Sequence, residues 1–215
     1  MKAYIFDLDG TLLDSMSVWE RIDADYLSRR GIEVPPDYID AVSSLTFSEA
    51  ARYTIERFRL SESVDSLIDE WNNMAISAYG NTVALKAHAK EYLLSLKKQG
   101  AKLGIATSLP PLLYEPALRN HGIMELFDAI SSTDEVSRGK TSPDVFLLTA
   151  KKLGVEPERC IVFEDIPEAI KSAKLAGMTV YGVYDDASKQ HWAAIEKIAD
   201  GVIYDFKSNS VSSIF

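Results

Sequence analysis

Two aspartates lie two residues apart in the sequence DLDGT (residues 7–11), directly after the apolar run 3–6. A short run of strand-forming residues that ends in turn residues predicts a buried strand with both acids at its carboxyl end. Buried carboxylates are costly unless a cation compensates them. Asp7 has the chemistry of a nucleophile toward phosphorus, and Asp9 that of a general acid and base. The alternative is a capped turn at the end of a strand.

Hydroxyl groups follow a second apolar run. Thr107 and Ser108 come directly after residues 101–106, which predict another buried strand. A hydroxyl beside free backbone N–H groups, where a strand turns into a helix, forms an anion site. The alternative is that these residues only begin the turn before Pro110-Pro111.

A candidate cation lies further along, in the loop RGKTSPD (residues 138–144). A lysine at this place neutralises both a nucleophilic carboxylate and a phosphate if the loop faces them. Lys140 is our first candidate and Arg138 the second. The alternative is a solvated loop side chain, which is the usual state of a lysine.

A second acidic pair, Glu164 and Asp165, ends the apolar run 160–163. Magnesium prefers oxygen ligands and takes one or two carboxylates together with water and phosphate. A second acidic pair at another strand end suits that demand. The alternative is that Asp165 caps the helix that Pro167 begins.

The elements that position these residues follow an alternating pattern of strands and helices. Such alternation predicts an α/β fold, a Rossmann-like parallel sheet with helices on both faces. The carboxyl ends of its strands then meet at one edge. The predicted strands are 2–6, 101–106, 127–130, 160–163, 179–183 and 201–203, and the predicted helices are 87–99, 112–121, 143–153, 167–176 and 188–199.

The stretch after the first strand is different, because its apolar residues follow helical spacing only. We interpret residues 15–80 as an inserted, all-helical cap domain, and residues 1–14 and 81–215 as the catalytic core. Two linkers, near residues 14–15 and 80–81, are expected to join the two parts. A cap attached in this way can close over the carboxyl end of the first strand.

Composition limits the partners and the location. The 215 residues include 32 acids and 23 bases, a net charge of −9, which argues against nucleic acid as a partner. No apolar run has the ~20 residues that span a bilayer, and the charged start lacks a signal-peptide core. A single cysteine, Cys160, excludes an intrachain disulfide and fits a reducing compartment. We expect a cytoplasmic monomer without a membrane partner.

Together, the motifs FDLDGTLLDS, IATSLP, GKTSPDVF and VFEDIPEAIKSAKLAGM resemble the haloacid dehalogenase-like hydrolase superfamily over nearly the whole chain. The helical insertion resembles the small cap of the branch with β-phosphoglucomutase and phosphoglycolate phosphatase. The resemblance implies Mg²⁺-dependent phosphoryl transfer through an aspartyl-phosphate. It implies that Asp7 is the nucleophile and a metal ligand, and that Asp9 is the general acid/base and binds the metal through its backbone carbonyl. Thr107 and the Ser108 N–H would bind phosphate, and Lys140 would contact both the phosphate and the nucleophile. Asp165 would bind the metal, and Glu164 would bind it directly or through water.

We therefore predict a phosphatase that acts on a small phosphorylated metabolite. A sugar phosphomutase is one alternative. The mutases of this branch carry a histidine ten residues after the second aspartate, where this chain has Trp19, which transfers no proton. A phosphonate hydrolase is a second alternative, but it would need a cap lysine for a Schiff base, and no lysine lies between Ser15 and Gly80. A non-catalytic binding or regulatory module with the same fold is the third. The resemblance also shows a departure, since Lys86-Ala87 replaces the Pro-Gly often found where the chain returns from the cap.

Overall fold

The computed structural model describes residues 2–43 and 47–207, and within them a six-stranded parallel sheet has the order β5-β4-β1-β6-β7-β8. The first strand therefore lies inside the sheet, between β4 and β6, with both neighbours parallel to it. This order confirms the predicted α/β class. The strands of the sheet are β1 (Ala3–Phe6), β4 (Lys102–Thr107), β5 (Ala129–Ser132), β6 (Cys160–Glu164), β7 (Thr179–Val183) and β8 (Gly201–Ile203).

Helices cover both faces of this sheet. Successive strand residues point to opposite faces, so the apolar strands carry side chains on each face that the helices bury. In β1, Tyr4 and Phe6 belong to one buried apolar cluster, and Ala3 and Ile5 belong to another. A sheet that is buried on both faces reads as a continuous apolar run, as β1 does. The helices of the core are α5 (Ala89–Lys98), α6 (Pro111–Asn120), α7 (Asp144–Leu153), α8 (Pro167–Leu175) and α9 (Trp192–Ile198).

Between β1 and β4, the described residues form a helical insertion that enters and leaves through two short antiparallel strands, β2 (Leu13–Asp14) and β3 (Ala84–Leu85). The helices of the insertion are α1 (Met16–Ser28), α2 (Tyr38–Ser43), α3 (Phe47–Phe58) and α4 (Val64–Asn81). We use "cap" for this insertion and "core" for the sheet with its helices. The boundaries assigned from the sequence stay a prediction.

The linker expected near residues 80–81 stays a prediction; α4 continues through Gly80 and ends at Asn81, and β3 begins at Ala84. Gly80 lies on the side of α4 that faces α6, where a Cβ at this position would be 3.6 Å from the Cβ of Pro116. A glycine inside a helix usually weakens it, but here α4 is supported by its contact with a core helix. The crossing back to the core falls at β3, a few residues later.

One core strand also differs from its expected position, since β5 begins at Ala129 rather than Phe127. The preceding residues, Met124–Leu126, form a 3-10 turn. The Asp128 carboxylate then accepts a hydrogen bond from the Leu103 N–H at 2.8 Å, which fixes the entry into the strand. Within the described residues, no helix combines the length and the apolar character that a bilayer crossing requires.

Candidate active site

The carboxyl ends of β1 and β6 bring together the two acidic pairs that the sequence singled out. Phe6 pairs with Phe163 in register, and the Asp7 N–H donates to the Phe163 carbonyl at 3.0 Å. Asp7 therefore leaves β1 beside Glu164, the last residue of β6. The side chains of Asp7, Glu164 and Asp165 are all buried. Their nearness follows from the parallel pairing of the two strands.

Lys140 joins this group from the loop before α7. Its ammonium group contacts the Asp7 carboxylate and lies 2.7 Å from Glu164 Oε2. The side chain of Arg138 is 70% exposed and is paired with Asp144 at 3.3 Å. Of the two candidate cations, the lysine is therefore the one in contact with the acids.

Glu164 and Asp165 use their oxygens differently. Glu164 Oε1 accepts the N–H groups of Asp165 and Ile166, both at 3.1 Å, while Oε2 accepts from Lys140. Asp165 Oδ1 accepts from the Thr11 hydroxyl at 3.2 Å. Asp165 Oδ2 is buried and has no hydrogen-bond partner within the described residues. Such an oxygen requires a partner that the protein does not provide.

A divalent metal ion fits this set of donors. Asp7, Glu164 and Asp165 each offer a carboxylate oxygen within 4.8 Å of the others. Burial is the largest cause that raises the pKa of Asp7, and Glu164 raises it further while Lys140 opposes the rise. The pKa of Asp165 is raised by burial and by the same acidic neighbours. Since one lysine does not balance three buried acids, a bound cation is what would keep them ionised at neutral pH.

Gly10 is required where the loop passes this site. Its φ is +75°, in the region that favours glycine. A Cβ at this position would lie 2.3 Å from Asp165 Oδ2, the oxygen without a partner. Glycine therefore leaves the space around the acid open.

Asp9 lies beside this acidic group and is held by two hydroxyls. The Tyr79 hydroxyl donates to Asp9 Oδ1 at 2.6 Å, and the Ser15 hydroxyl donates to the same oxygen. Burial raises the pKa of Asp9, while these two hydrogen bonds oppose the rise. A carboxyl group with a raised pKa next to a candidate nucleophile, here Asp7, is suited to proton transfer.

A sequence profile for the family described as haloacid dehalogenase-like hydrolase matches residues 4–183, well over half of the chain. The chain belongs to the haloacid dehalogenase-like hydrolase family. The matched segment contains every acid discussed above as well as Lys140. The family and the small helical cap expected from the motifs are thereby confirmed.

Curated relatives and solved structures agree with this family. Validoxylamine A 7'-phosphate phosphatase of Streptomyces hygroscopicus subsp. limoneus is 33% identical over 187 residues, which cover 85% of each chain. Hexitol phosphatase B of Escherichia coli (strain K12) is 31% identical over 185 residues, which cover 82% of this chain and 80% of that protein. β-Phosphoglucomutase of Clostridium difficile shares the fold, with a TM-score of 0.76, 22% identity, and coverage of 100% and 95% of the two chains. The curated relatives place the chain among the phosphatases of the family.

In this haloacid dehalogenase-like hydrolase, Thr107 is the last residue of β4 and Ser108 follows it. Thr107 lies two residues beyond Ile105, the register partner of Phe6, so it reaches the same edge of the sheet as Asp7. Its hydroxyl oxygen accepts the Leu109 N–H at 3.0 Å, and its own proton remains free to be donated elsewhere. Phosphate binding by Thr107 and Ser108 stays a prediction.

Sequence reasoning missed Ser15 and Tyr79. The sequence pattern places them only near the two ends of the predicted helical cap, residues 15–80. A buried tyrosine usually hydrogen-bonds through its hydroxyl, so Tyr79 carried a signal that a polar partner lay nearby. Nothing in the local sequence identified that partner as Asp9, which is 70 residues away.

Proposed function

We propose that this protein hydrolyses the phosphate monoester of a small polyhydroxylated metabolite through an aspartyl-phosphate on Asp7. The observation that carries the proposal is the buried contact of Asp7 with Lys140 beside an acid, Asp165, that has an oxygen without a partner. A nucleophile, a neutralising cation and a metal ligand then meet at the end of β1. The phosphatases named above support the same reaction class.

The first half-reaction transfers the phosphoryl group to the enzyme. A carboxylate oxygen of Asp7 forms a bond to phosphorus while the bond from phosphorus to the alcohol oxygen breaks. The proton of Asp9 moves to the departing alkoxide oxygen, and the alcohol leaves. Lys140 stabilises the charge on the transferring group, and Thr107 with the Ser108 N–H binds its oxygens.

The second half-reaction returns the enzyme to its starting state. The oxygen of a water molecule forms a bond to phosphorus while the bond from phosphorus to Asp7 breaks. Asp9, now unprotonated, accepts a proton from that water. Inorganic phosphate leaves with both aspartates in their initial protonation states.

Mg²⁺ is the cofactor that we propose for this site. Asp7 and Asp165 would hold the ion, with the Asp9 backbone carbonyl and Glu164 as the further predicted ligands. Both oxygens of Glu164 already accept hydrogen bonds within the protein, which supports an indirect contact through water. When bound, the ion supplies positive charge next to the phosphoryl oxygens.

The proposed substrate class follows from the relatives, whose names refer to a hexitol and to validoxylamine A 7'-phosphate. Trp19 favours hydrolysis over mutase chemistry, because an indole transfers no proton between two sugar hydroxyls. A mutase would convert a hexose 1-phosphate to its 6-phosphate isomer. A phosphatase would release inorganic phosphate from the same compound.

The test is a panel of sugar and sugar-alcohol phosphates with Mg²⁺, in which both released phosphate and isomerised product are measured. We expect phosphate release, and we expect Asp7→Asn to reduce it by at least ~10³-fold because the nucleophile is lost. Asp69→Asn, at an exposed position on α4, is the matched control and should retain activity.

Three results would contradict the proposal. Isomer formation without phosphate release would favour the mutase. Absence of turnover across the panel would favour a binding or regulatory module. Unchanged turnover in Asp7→Asn would remove the assigned nucleophile. The monomeric state and the cytoplasmic location stay predictions from composition, and light scattering of the purified protein tests the first.

A further inference from the structure

Tyr79 is a cap residue with its hydroxyl group in the catalytic site. It lies near the end of α4, its side chain is fully buried, and its hydroxyl is 2.6 Å from Asp9 Oδ1. Asp9 itself belongs to the loop after β1. This hydrogen bond therefore connects the cap directly to the group to which we assign proton transfer.

In this hydrogen bond the Tyr79 hydroxyl donates its proton and the Asp9 carboxylate oxygen accepts it. Burial, together with the neighbouring Asp9 carboxylate, raises the pKa of Tyr79, which keeps that proton in place.

Both hydroxyl donors meet the same oxygen of Asp9. Ser15 and Tyr79 donate to Oδ1. Within the described part of the chain, these are the side-chain hydrogen bonds that Asp9 makes, and Oδ2 accepts none of them. With Oδ1 fixed at two points, the carboxyl group cannot rotate freely, and Oδ2 is the oxygen left for substrate and water.

We propose that Tyr79 is a positioning residue that orients the Asp9 carboxyl group so that Oδ2 faces the leaving-group oxygen. The proposal rests on the function proposed above, because it assigns Asp9 the proton transfer. Without the phenol hydroxyl, Ser15 alone holds the Asp9 carboxyl group. The carboxyl group then takes up more orientations, and in fewer of them does the Asp9 proton reach the departing oxygen. Correct orientation of a catalytic group contributes a large part of the rate enhancement that the group provides.

The experiment compares kcat/KM of Tyr79→Phe for two leaving groups. A sugar-alcohol phosphate releases a basic alkoxide, which needs the proton of Asp9. p-Nitrophenyl phosphate releases a weakly basic phenolate, which leaves without it. Since kcat/KM covers the steps up to loss of the alcohol, we expect a decrease of ~10- to 100-fold for the alkyl ester and less than ~3-fold for the aryl ester.

Tyr92→Phe is the matched control. Tyr92 is another buried tyrosine, and its hydroxyl has no hydrogen-bond partner within the described residues. The substitution removes the same atom from the core without removing a hydrogen bond. Both kcat/KM values should then equal those of the wild type.

Ser15→Ala provides a second variant that removes the other donor to Oδ1. It should show the same selective loss for the alkyl ester, and it tests the orientation of Asp9 even if Tyr79→Phe does not fold. Equal losses for both esters in the folded variants, or no loss for either, would overturn the proposal. Failure of the proposed function is distinguishable, since the wild type itself would then release no phosphate from either ester.

Discussion

At the scale of single residues, the site is defined by an imbalance of buried charge. Three acids, Asp7, Glu164 and Asp165, share one ammonium group, that of Lys140. Like charges at this separation cannot all remain ionised in a buried site without a further cation. Within the part of the chain that the structure describes, no hydrogen bond satisfies Asp165 Oδ2, so the binding energy of a metal ion should depend most directly on this residue.

We expect Mg²⁺ to stabilise the folded protein, because an ion that binds only the folded state raises the free energy of unfolding. At ~100 times the dissociation constant the increase is about 2.7 kcal/mol. Asp165→Asn should abolish most of this increase, as measured by thermal unfolding with and without Mg²⁺. Asp186→Asn, at an exposed acid, is the control and should retain it. If Mg²⁺ stabilises the Asp165→Asn variant as much as it stabilises the wild type, Asp165 is not a metal ligand.

At the scale of elements, the cap has its own buried polar contact, which joins α1, α2 and α3. The Tyr38 hydroxyl lies 2.7 Å from Thr54 Oγ1 and 3.4 Å from Asp23 Oδ1. Thr54 Oγ1 in turn donates to the Ala50 carbonyl at 2.7 Å. The Tyr38 hydroxyl donates to Asp23 Oδ1. Burial raises the pKa of Asp23 to about 6, and the hydrogen bond from Tyr38 opposes the rise.

This acid predicts a pH dependence of cap stability. The pKa of Asp23 in the folded state lies above the unfolded value of ~3.9, so its stabilising protonated form is present at low pH and is lost as the pH rises through about 6. Asp23→Asn should therefore become more stable relative to the wild type between about pH 4 and pH 7, by roughly 2–3 kcal/mol. Urea unfolding at several pH values measures the difference.

Asp25→Asn, at an exposed position on the same helix, is the control for the loss of one surface charge. Its stability relative to the wild type should stay within ~0.5 kcal/mol across the same pH range. If Asp23→Asn behaves in the same way as this control, folding does not raise the pKa of Asp23.

At the scale of the whole molecule, an ion pair within the core lies where the chain returns from the cap. Lys86 follows β3, and its ammonium group contacts the Asp185 carboxylate in the loop after β7. The side chains are 19% and 5% exposed. Asp185 Oδ1 also accepts the Ala187 N–H at 2.8 Å. A largely buried ion pair thus fixes the chain where it returns from the cap.

Removal of one partner of this pair should lower the free energy of unfolding more than removal of both partners. Lys86→Met leaves a buried carboxylate without its cation, a change that typically costs ~3–5 kcal/mol, whereas the double variant with Asp185→Asn removes that charge. A double-mutant cycle in urea should give a coupling energy of ~1–3 kcal/mol. The exposed pair Arg119 and Glu115, with side chains 63% and 43% exposed, is the control and should couple by ~0.5 kcal/mol or less. Equal coupling in both cycles would show that burial adds nothing at Lys86.

Much of the fold and of the site was predictable from sequence, because both depend on local patterns. Apolar runs that end in acids or hydroxyls identified β1, β4 and β6 and placed candidate residues at their ends. The sequence also singled out Lys140, which the structure brings into contact with Asp7. The sequence did not show that α4 continues through Gly80, because a helix packed on another helix tolerates a glycine that would end an isolated one.

The sequence alone predicted the class of fold and the acids at the ends of β1 and β6, because a parallel sheet aligns the carboxyl ends of strands that are distant in the chain. The tertiary structure was needed to show which hydrogen bonds each of those acids makes. It gave Glu164 its internal partners and left Asp165 Oδ2 without one. It also showed that the Tyr79 hydroxyl hydrogen-bonds Asp9. Which side of α4 faces the core depends on how the cap packs against the core, and no local sequence pattern predicts that packing.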